Sequence, residues 1–356
     1  MPQWVRRYLL HSSLSQHLWR ALGLGLGLRL LSAFFVYGPQ ALDDYKHGVW
    51  PAYQFFAGQE LDLPDYRNRL LVWILAGFIR FASWFGCSSA LAQVRAMYIG
   101  LALISLLGIW GTYLFVRDVR SRIFAPLAIY LAAAYPLMPF VSTRAFGEAV
   151  AMSFVMLGFG YLEPARRQRQ VELWPWIAGF LCLGAATLFR FHVGLLFVSY
   201  GAVLVYLRVW RGVAGGLIAG ILTIAAQALI DFLSHKPFMG TLIAYLTANE
   251  GGAADYGVSP WYDTWLLVLA LSLAPFSFVF FRQLRGLWRK HWPWLVPFLV
   301  YVTAHSLVPH KEERFLYPII GLEIWALAWL WASATFVPLA RRLNLGRRTP
   351  LHSRSL

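Results

Sequence analysis

Five consecutive ionisable residues, His310, Lys311, Glu312, Glu313 and Arg314, followed by Phe315, stand between two apolar runs, Pro293 to Pro309 and Leu316 to Phe336. Two cations, two carboxylates and an imidazole could simply solvate a tight turn and pair among themselves, as charge runs commonly do. Flanking membrane helices would instead hold all five side chains at the membrane edge, where ionisable groups mark substrate pathways. The functional reading is the stronger one. A second store of chemistry lies in the first long polar segment, Gly38 to Tyr66, which carries Asp43, Asp44, Glu60, Asp62 and Asp65. The adjacent carboxylates of Asp43 and Asp44, with Glu312 or His310, could hold magnesium or manganese. Metal is the less favoured option, and no cofactor is expected.

The elements that must position these groups follow from composition. The chain has 356 residues, 59% hydrophobic and only 13% charged, with a mean hydropathy of +0.56. That excludes an ordinary soluble domain. Apolar runs of roughly 17 to 23 residues recur along the chain, each long enough to cross a bilayer as a helix. The expected fold class is an all-α polytopic membrane protein, one integral membrane domain over residues 1–356. Seventeen Trp and seventeen Tyr suit interfacial belts, and the formal charge of +15 suits an excess of Lys and Arg on one side. Nucleic-acid binding is not expected from this charge. Cys87 and Cys182 are the two cysteines, both in or beside apolar runs, so neither a disulfide framework nor a cysteine metal site is supported.

Met1 to Trp19 reads as an interfacial segment and Ala21 to Tyr37 as the first span, with no removable leader. Gly23, Gly25 and Gly27 lack the strand and the Lys-Ser/Thr of a phosphate loop and indicate close helix packing, as does Gly216-x-x-x-Gly220. Further spans are expected at Ile99–Val116, Ile123–Val141, Ala145–Leu162, Leu173–Phe189, Val193–Leu207, Gly212–Leu233, Trp265–Phe281, Trp294–Val308 and Leu316–Phe336. The arginines at 117, 120 and 122, at 166, 167 and 169, at 208 and 211, at 282, 285 and 289, and at 341 to 348 then share one side, the cytoplasmic one. Asp43, Asp44, Glu60, Asp62, Asp65, Glu148, Asp231, Glu250, Asp255, Asp263, Glu312 and Glu313 gather at or near the other. This bookkeeping requires Arg67 to Phe85 to lie in the outer interface, its arginines snorkelling, and gives about ten spans. The outer face then holds a first loop (38–95), a second loop (234–263) and the turn at 309–315. In the second loop, Gly251-Gly252 and Gly257-x-x-Pro260 are turn signals. Loops this long and this aromatic read as a lid or a binding site.

The stretch from His310 to Pro318 resembles the HKEERF-x-x-P signature of glycosyltransferase family 22, membrane mannosyltransferases of the GT-C class. Asp43-Asp44 stands after the first span where that family carries an Asp-Glu pair, with Gly58 at the family's spacing. Asp231-Phe232, Asn249, Gly251/Gly252, Tyr256-Gly257 and Pro260-Trp261 follow its order, and Glu148 and Arg190 resemble its mid-chain Glu and Arg. The resemblance spans roughly Leu42 to Pro318, and a compact prokaryotic member is expected.

The resemblance implies a GT-C-like bundle with juxtamembrane helices in the first outer loop. It further implies inverting transfer of mannose, or a related hexose, from a polyprenyl-phosphate sugar donor to a lipid-linked glycan acceptor at the outer or lumenal face. In that chemistry Asp43 or Asp44 takes the acceptor's proton. His310, Lys311 and Arg314 meet the leaving phosphate. Arg190, Arg67 or Arg69 could add a second clamp or only snorkel. Glu312, Glu313, Asn249, Tyr256 and Trp261 are candidate substrate contacts. Glu148 could orient a sugar hydroxyl or cap a helix N-terminus, and Glu323 could bond a neighbouring helix. The membrane would be the cytoplasmic membrane of a prokaryote or the endoplasmic reticulum of a eukaryote. A transporter or flippase of a lipid-linked sugar is the alternative; it would show repeats and mid-membrane charge, and neither is evident.

Overall fold

The computed structural model describes residues 12–36, 44–119, 121, 123–252, 257–271 and 284–333, with the backbone alone at 249–252. The described residues are helices and connections, with no strand among them. We number the helices α1 (Leu14–Phe35), α2 (Trp50–Phe56), α3 (Leu70–Trp84), α4 (Ala90–Val116), α5 (Phe124–Ala134), α6 (Leu137–Val141), α7 (Gly147–Arg167), α8 (Trp174–Phe189), α9 (Gly194–Tyr206), α10 (Trp210–Leu233), α11 (Gly240–Gly252), α12 (Asp263–Leu271), α13 (Leu284–Leu307) and α14 (Ile320–Trp331).

Three of these, α1, α4 and α10, are long and apolar enough to cross a membrane on length and composition alone. Others are apolar but shorter, and the sequence shows why. The run expected to cross from Ile123 to Val141 is two helices, because the chain leaves the helical region at Tyr135, immediately before Pro136. The run at Leu316 begins as a 3₁₀ segment, Glu313–Ile319, containing Pro318, and becomes α-helical only at Ile320. Helix α1 starts earlier than expected, at Leu14. Ser13 caps it, its side chain accepting from Gln16 N–H while the Gln16 side chain accepts from the Ser13 N–H. The part of the expected Trp265–Phe281 span after Leu271 lies outside the described residues.

Helix α3 has the form expected of a juxtamembrane element. It is 15 residues long, and Leu71, Val72, Leu75, Ala76 and Ile79 are its buried stripe. The second outer loop differs from the expectation of a turn-rich connection, since α11 runs through Gly251 to Gly252. The pair closes the helix, as glycine commonly does at a C-terminus.

Helix α7 is the axis of the core and packs on α4 and α8. A Cβ on Gly160 would land on the Gly111 carbonyl oxygen, and a Cβ on Gly111 would stand 2.5 Å from the Met156 carbonyl, so the two backbones touch. Of the three early glycines, Gly25 is the packing position, facing Ile109 and Arg29, whereas Gly23 and Gly27 face open space. Helix α10 leaves Leu217, Ile221, Ile224 and Leu229 exposed, an apolar flank suited to lipid.

Candidate active site at the outer face

Two close backbone approaches build the site. Asp44 is fully buried, and its carboxylate accepts the Ala145 N–H at 2.8 Å. One turn later Gly48 lies so near that a Cβ would stand 2.5 Å from the Ala145 carbonyl. The first outer segment is thereby fastened to the short link between α6 and α7. Arg144 is buried in that link, its guanidinium 4.8 Å from the Tyr98 ring and 4.6 Å from the Phe140 ring. Asp44 and Arg144 both act on Tyr98 electrostatically. Asp44 therefore braces the segment, and Asp43 beside it lies outside the described residues.

Helix α7 begins two residues after Ala145. Glu148, in its first turn and wholly buried, forms an ion pair with Arg190 at 2.7 Å. The helix N-terminus favours the carboxylate, in keeping with its reading as a cap, and the Arg190 guanidinium pairs with it there. Gly147 admits the contact: a Cβ there would meet the Phe189 carbonyl at 2.8 Å and Arg190 Nε at 3.2 Å. Arg190 ends α8 in extended conformation, and the next turn, Phe191–Val193, carries His192.

His192 sits among aromatic groups from two other parts of the chain, α13 and the charged turn. Its ring centroid is 5.1 Å from that of His305, 5.9 Å from Tyr301 and 6.1 Å from Phe315. Its Nε2 is buried with no hydrogen-bond partner among the described residues. Burial holds His192 well below the usual histidine pKa, with His305 and the Arg67 cation pushing the same way. His305 stacks on Tyr301, centroids 4.2 Å apart, and donates from Nδ1 to the Tyr301 carbonyl at 2.9 Å, which leaves Nε2 as an acceptor. The Tyr301 hydroxyl donates to the Phe315 carbonyl at 2.7 Å, fastening α13 to the charged turn. Tyr245 of α11 feels both Arg67 and Glu148.

Within the turn, Glu312 is the hub. Its Oε1 accepts from His310 Nε2 at 2.7 Å and from Arg314 Nη2 at 2.9 Å, while Arg314 Nε engages Oε2, so the Arg314 contact is bidentate. Lys311 donates to the Ser259 and Val308 carbonyls, at 2.9 and 2.8 Å, and Ser259 N–H donates to the Pro309 carbonyl at 3.0 Å. These carbonyls orient Lys311 without cancelling its charge. Lys311, Glu312, His305, Phe315, Thr264, Leu267 and Leu316 line a narrow hollow.

The structure thus gathers His310, Lys311, Glu312 and Arg314 in one turn, pairs Glu148 with Arg190, and joins the two groups through Phe315, His192 and His305. Other candidates stand apart. Glu313 is exposed and accepts only a long contact, 3.4 Å, from the Tyr317 hydroxyl. Trp261 is 64% exposed beside Tyr262. Arg69 is the half-buried residue preceding α3, where its carbonyl accepts the Trp73 N–H. Tyr256 and the side chain of Asn249 lie outside the described residues. Glu323 is buried in α14, and its charge reaches Tyr135 at the end of α5. Of the residues named for a metal, Asp44 accepts the Ala145 N–H, Glu312 accepts from His310 and Arg314, and Asp43 lies outside the described residues.

Reading the sequence missed His192, Tyr301, His305, Tyr245 and Arg144. The Tyr301/His305 spacing of four, which puts both on one helix face, and the nearness of His192 to Arg190 were the available signals.

Residues 28–353 match the model of the Alg9-like mannosyltransferase family. The chain belongs to this family. The expected kinship, resting on the His310 turn, is borne out over most of the chain. It is 23% identical over 337 residues to GPI mannosyltransferase 3 of Candida albicans, covering 89% of this chain and 65% of that protein. To the alpha-1,2-mannosyltransferase ALG9 of Saccharomyces cerevisiae it is 34% identical over 105 residues, 29% of this chain and 17% of that one. The chain thus spans about two thirds or less of the length of the curated relatives it matches. Among solved structures it is similar to ArnT from Cupriavidus metallidurans bound to undecaprenyl phosphate, with a TM-score of 0.65 at 14% identity, covering 92% of this chain and 63% of that one. It is also similar to the oligosaccharyltransferase AglB from Archaeoglobus fulgidus in complex with an inhibitory peptide and a dolichol-phosphate, with a TM-score of 0.54 at 14% identity, covering 96% and 52%. The family member is an integral membrane protein with the helical fold of these GT-C enzymes.

Proposed function

We propose that the protein transfers mannose, or a closely related hexose, from a polyprenyl-phosphate carrier to a lipid-linked glycan, with inversion, at the outer or lumenal membrane face. The observation that carries the reading is the convergence of Arg67, Arg190, His192, His305, Tyr245 and the Lys311–Arg314 turn at one end of the helix bundle, beside the anchored acidic segment. Family membership supports the sugar, and the undecaprenyl phosphate bound to ArnT and the dolichol-phosphate in the AglB complex support the donor class.

In this reading the acceptor hydroxyl oxygen bonds to the anomeric carbon, its proton passes to a carboxylate, and the bond from that carbon to the phosphate oxygen breaks. Asp44 is already bound to Ala145 N–H, so Asp43 is the base. The phosphate leaves as an anion, and Arg67 with Lys311 are the cations that meet its growing charge; Glu148 holds Arg190, and Glu312 holds Arg314, in fixed geometry beside them. Such a leaving group needs no metal once these cations meet it. Neutral His192 adds a polar contact without a further like charge to repel the cations.

Incubation of purified protein with polyprenyl-phosphate mannose and a lipid-linked glycan tests the proposal. Release of polyprenyl phosphate with a matching gain of one hexose on the acceptor is expected. Donor that crosses a vesicle membrane unchanged, with no release, would overturn it.

A further inference from the structure

Asp231, near the end of α10, takes no part in the chemistry above, yet it is fully buried and one carboxylate oxygen, Oδ2, has no hydrogen-bond partner among the described residues. Keeping a carboxylate in that condition is costly, and packing alone would be served better by a neutral side chain. The other oxygen, Oδ1, receives two donors. Gln227 Nε2 donates at 3.0 Å and the Thr241 hydroxyl at 2.5 Å. Gln227 Oε1 in turn accepts from Asn68 Nδ2 at 2.8 Å, and Asn68 Oδ1 accepts the Leu70 N–H at 2.9 Å.

The chain of bonds has one direction. A carboxylate only accepts, so it fixes which end of the Gln227 amide faces it, and Gln227 then fixes the Asn68 amide. The relay passes through Asn68, one residue beyond Arg67, and ends on the Leu70 N–H at the start of α3. The second spoke ends on Thr241, one helical turn before Tyr245 on the same side of α11. Lys236 adds a tie to the same first-loop segment, donating to the Asp65 carbonyl at 2.6 Å and lying 3.3 Å from its carboxylate. Arg67 and Tyr245 already interact electrostatically.

We infer that Asp231 is a positioning residue that sets Arg67 and Tyr245, from two separate outer segments, against one ligand phosphate. This rests on the phosphate-linked donor proposed above. Asp231 itself touches no reacting atom; it acts through the amide relay and the Thr241 hydroxyl. Replacing it by Asn removes the charge that strengthens both spokes while keeping volume.

The test measures binding of polyprenyl phosphate to the purified full chain in lipid nanodiscs, and KM and kcat for polyprenyl-phosphate mannose. Asp231→Asn should weaken phosphate binding by about tenfold or more, raise the donor KM and lower kcat as well, since Arg67 meets the growing charge of the leaving phosphate. In an Arg67→Ala background the same substitution should add little, because the two act on one contact. If Asp231→Asn does not fold, Asn68→Ala removes the first spoke and Thr241→Val the second, and each should raise the donor KM severalfold. Wild-type protein that binds polyprenyl phosphate while all these variants bind it equally would overturn the positioning role. An effect of Asp231→Asn that is undiminished in the Arg67→Ala background would also overturn it. Wild-type protein that does not bind polyprenyl phosphate would overturn instead the donor reading beneath it.

Discussion

In the proposed reading Asp43 and Asp44 are neighbours with separate tasks, because Asp44 is buried and holds the Ala145 N–H. Asp43→Asn keeps the size and removes the proton acceptor, so turnover should fall about 10²-fold or more while polyprenyl-phosphate binding persists. Asp44→Asn should instead lower the unfolding temperature, since an amide can turn its donor toward the Ala145 N–H; thermal scans of both variants separate the cases. Arg314 contacts both oxygens of Glu312, a match of planar fork to carboxylate that an ammonium cannot make. Arg314→Lys should therefore cost at least tenfold, on the order of 1.4 kcal/mol, in kcat/KM with the chain still folded. Unchanged kinetics would leave the turn as a mere solvated corner. His192 stays neutral when folded and takes a proton near pH 6.5 when unfolded. Its contribution to stability is present above pH 6.5 and is lost as pH falls below it, because only the unfolded chain gains the proton. Unfolding temperatures recorded down to about pH 5 should decline, and His192→Asn should decline less.

At the scale of elements, the contact between α4 and α7 decides where Glu148 stands. Gly111 and Gly160 bring the two backbones together, and α7 carries Glu148 at its outer end. Gly160→Ala must push the helices apart, and overpacking of this kind costs about 1 to 3 kcal/mol. Lower thermal stability is expected, together with a reduced kcat from a residue at the far, cytoplasmic half of the helix. Gly201→Ala, at a position with nothing within 4 Å, is the matched control and should leave both unchanged. Gly58 works differently. Its φ of +69° follows the end of α2, a left-handed position where a side chain would be strained.

For the whole molecule, charge decides orientation and the site inherits it. At the end of the bundle expected to face the cytoplasm, Glu163 is buried with Arg166 bidentate on it and the Tyr200 hydroxyl donating at 2.8 Å, and Arg167 pairs with Asp118 at 2.7 Å. This staple ties α7 to α9 and to the end of α4, opposite the outer cluster. Arg29, fully buried in α1, donates to the Ala132 and Ala133 carbonyls at 3.3 and 2.9 Å and so caps α5 where Pro136 breaks the run. Cysteines introduced at the exposed positions Gly58 and Gln168 give the topology directly. Impermeant thiol reagents applied from outside should label Gly58→Cys and spare Gln168→Cys until the membrane is opened. Labelling of Gln168→Cys from outside would reverse the reading that puts α3 in the interface.

The sequence by itself determined the class and the family, because apolar length and the His310–Pro318 turn are local properties of the chain, and it set an expected sidedness through the bias of Arg and Lys among loops. It also set α3 apart as an element expected in the interface, since a crossing there would invert every later loop. What only the tertiary structure decided was partnership. Nothing in the spacing of Glu148 and Arg190, 42 positions apart, or of Asn68, Gln227 and Thr241 announces a contact, because such pairs form only once helices from distant parts of the chain pack side by side. The same holds for Asp44, which the sequence could rank as a base and which folding commits to a backbone amide 101 residues away. Local chemistry put the charges at one face; packing across long sequence separations assigned each of them its work.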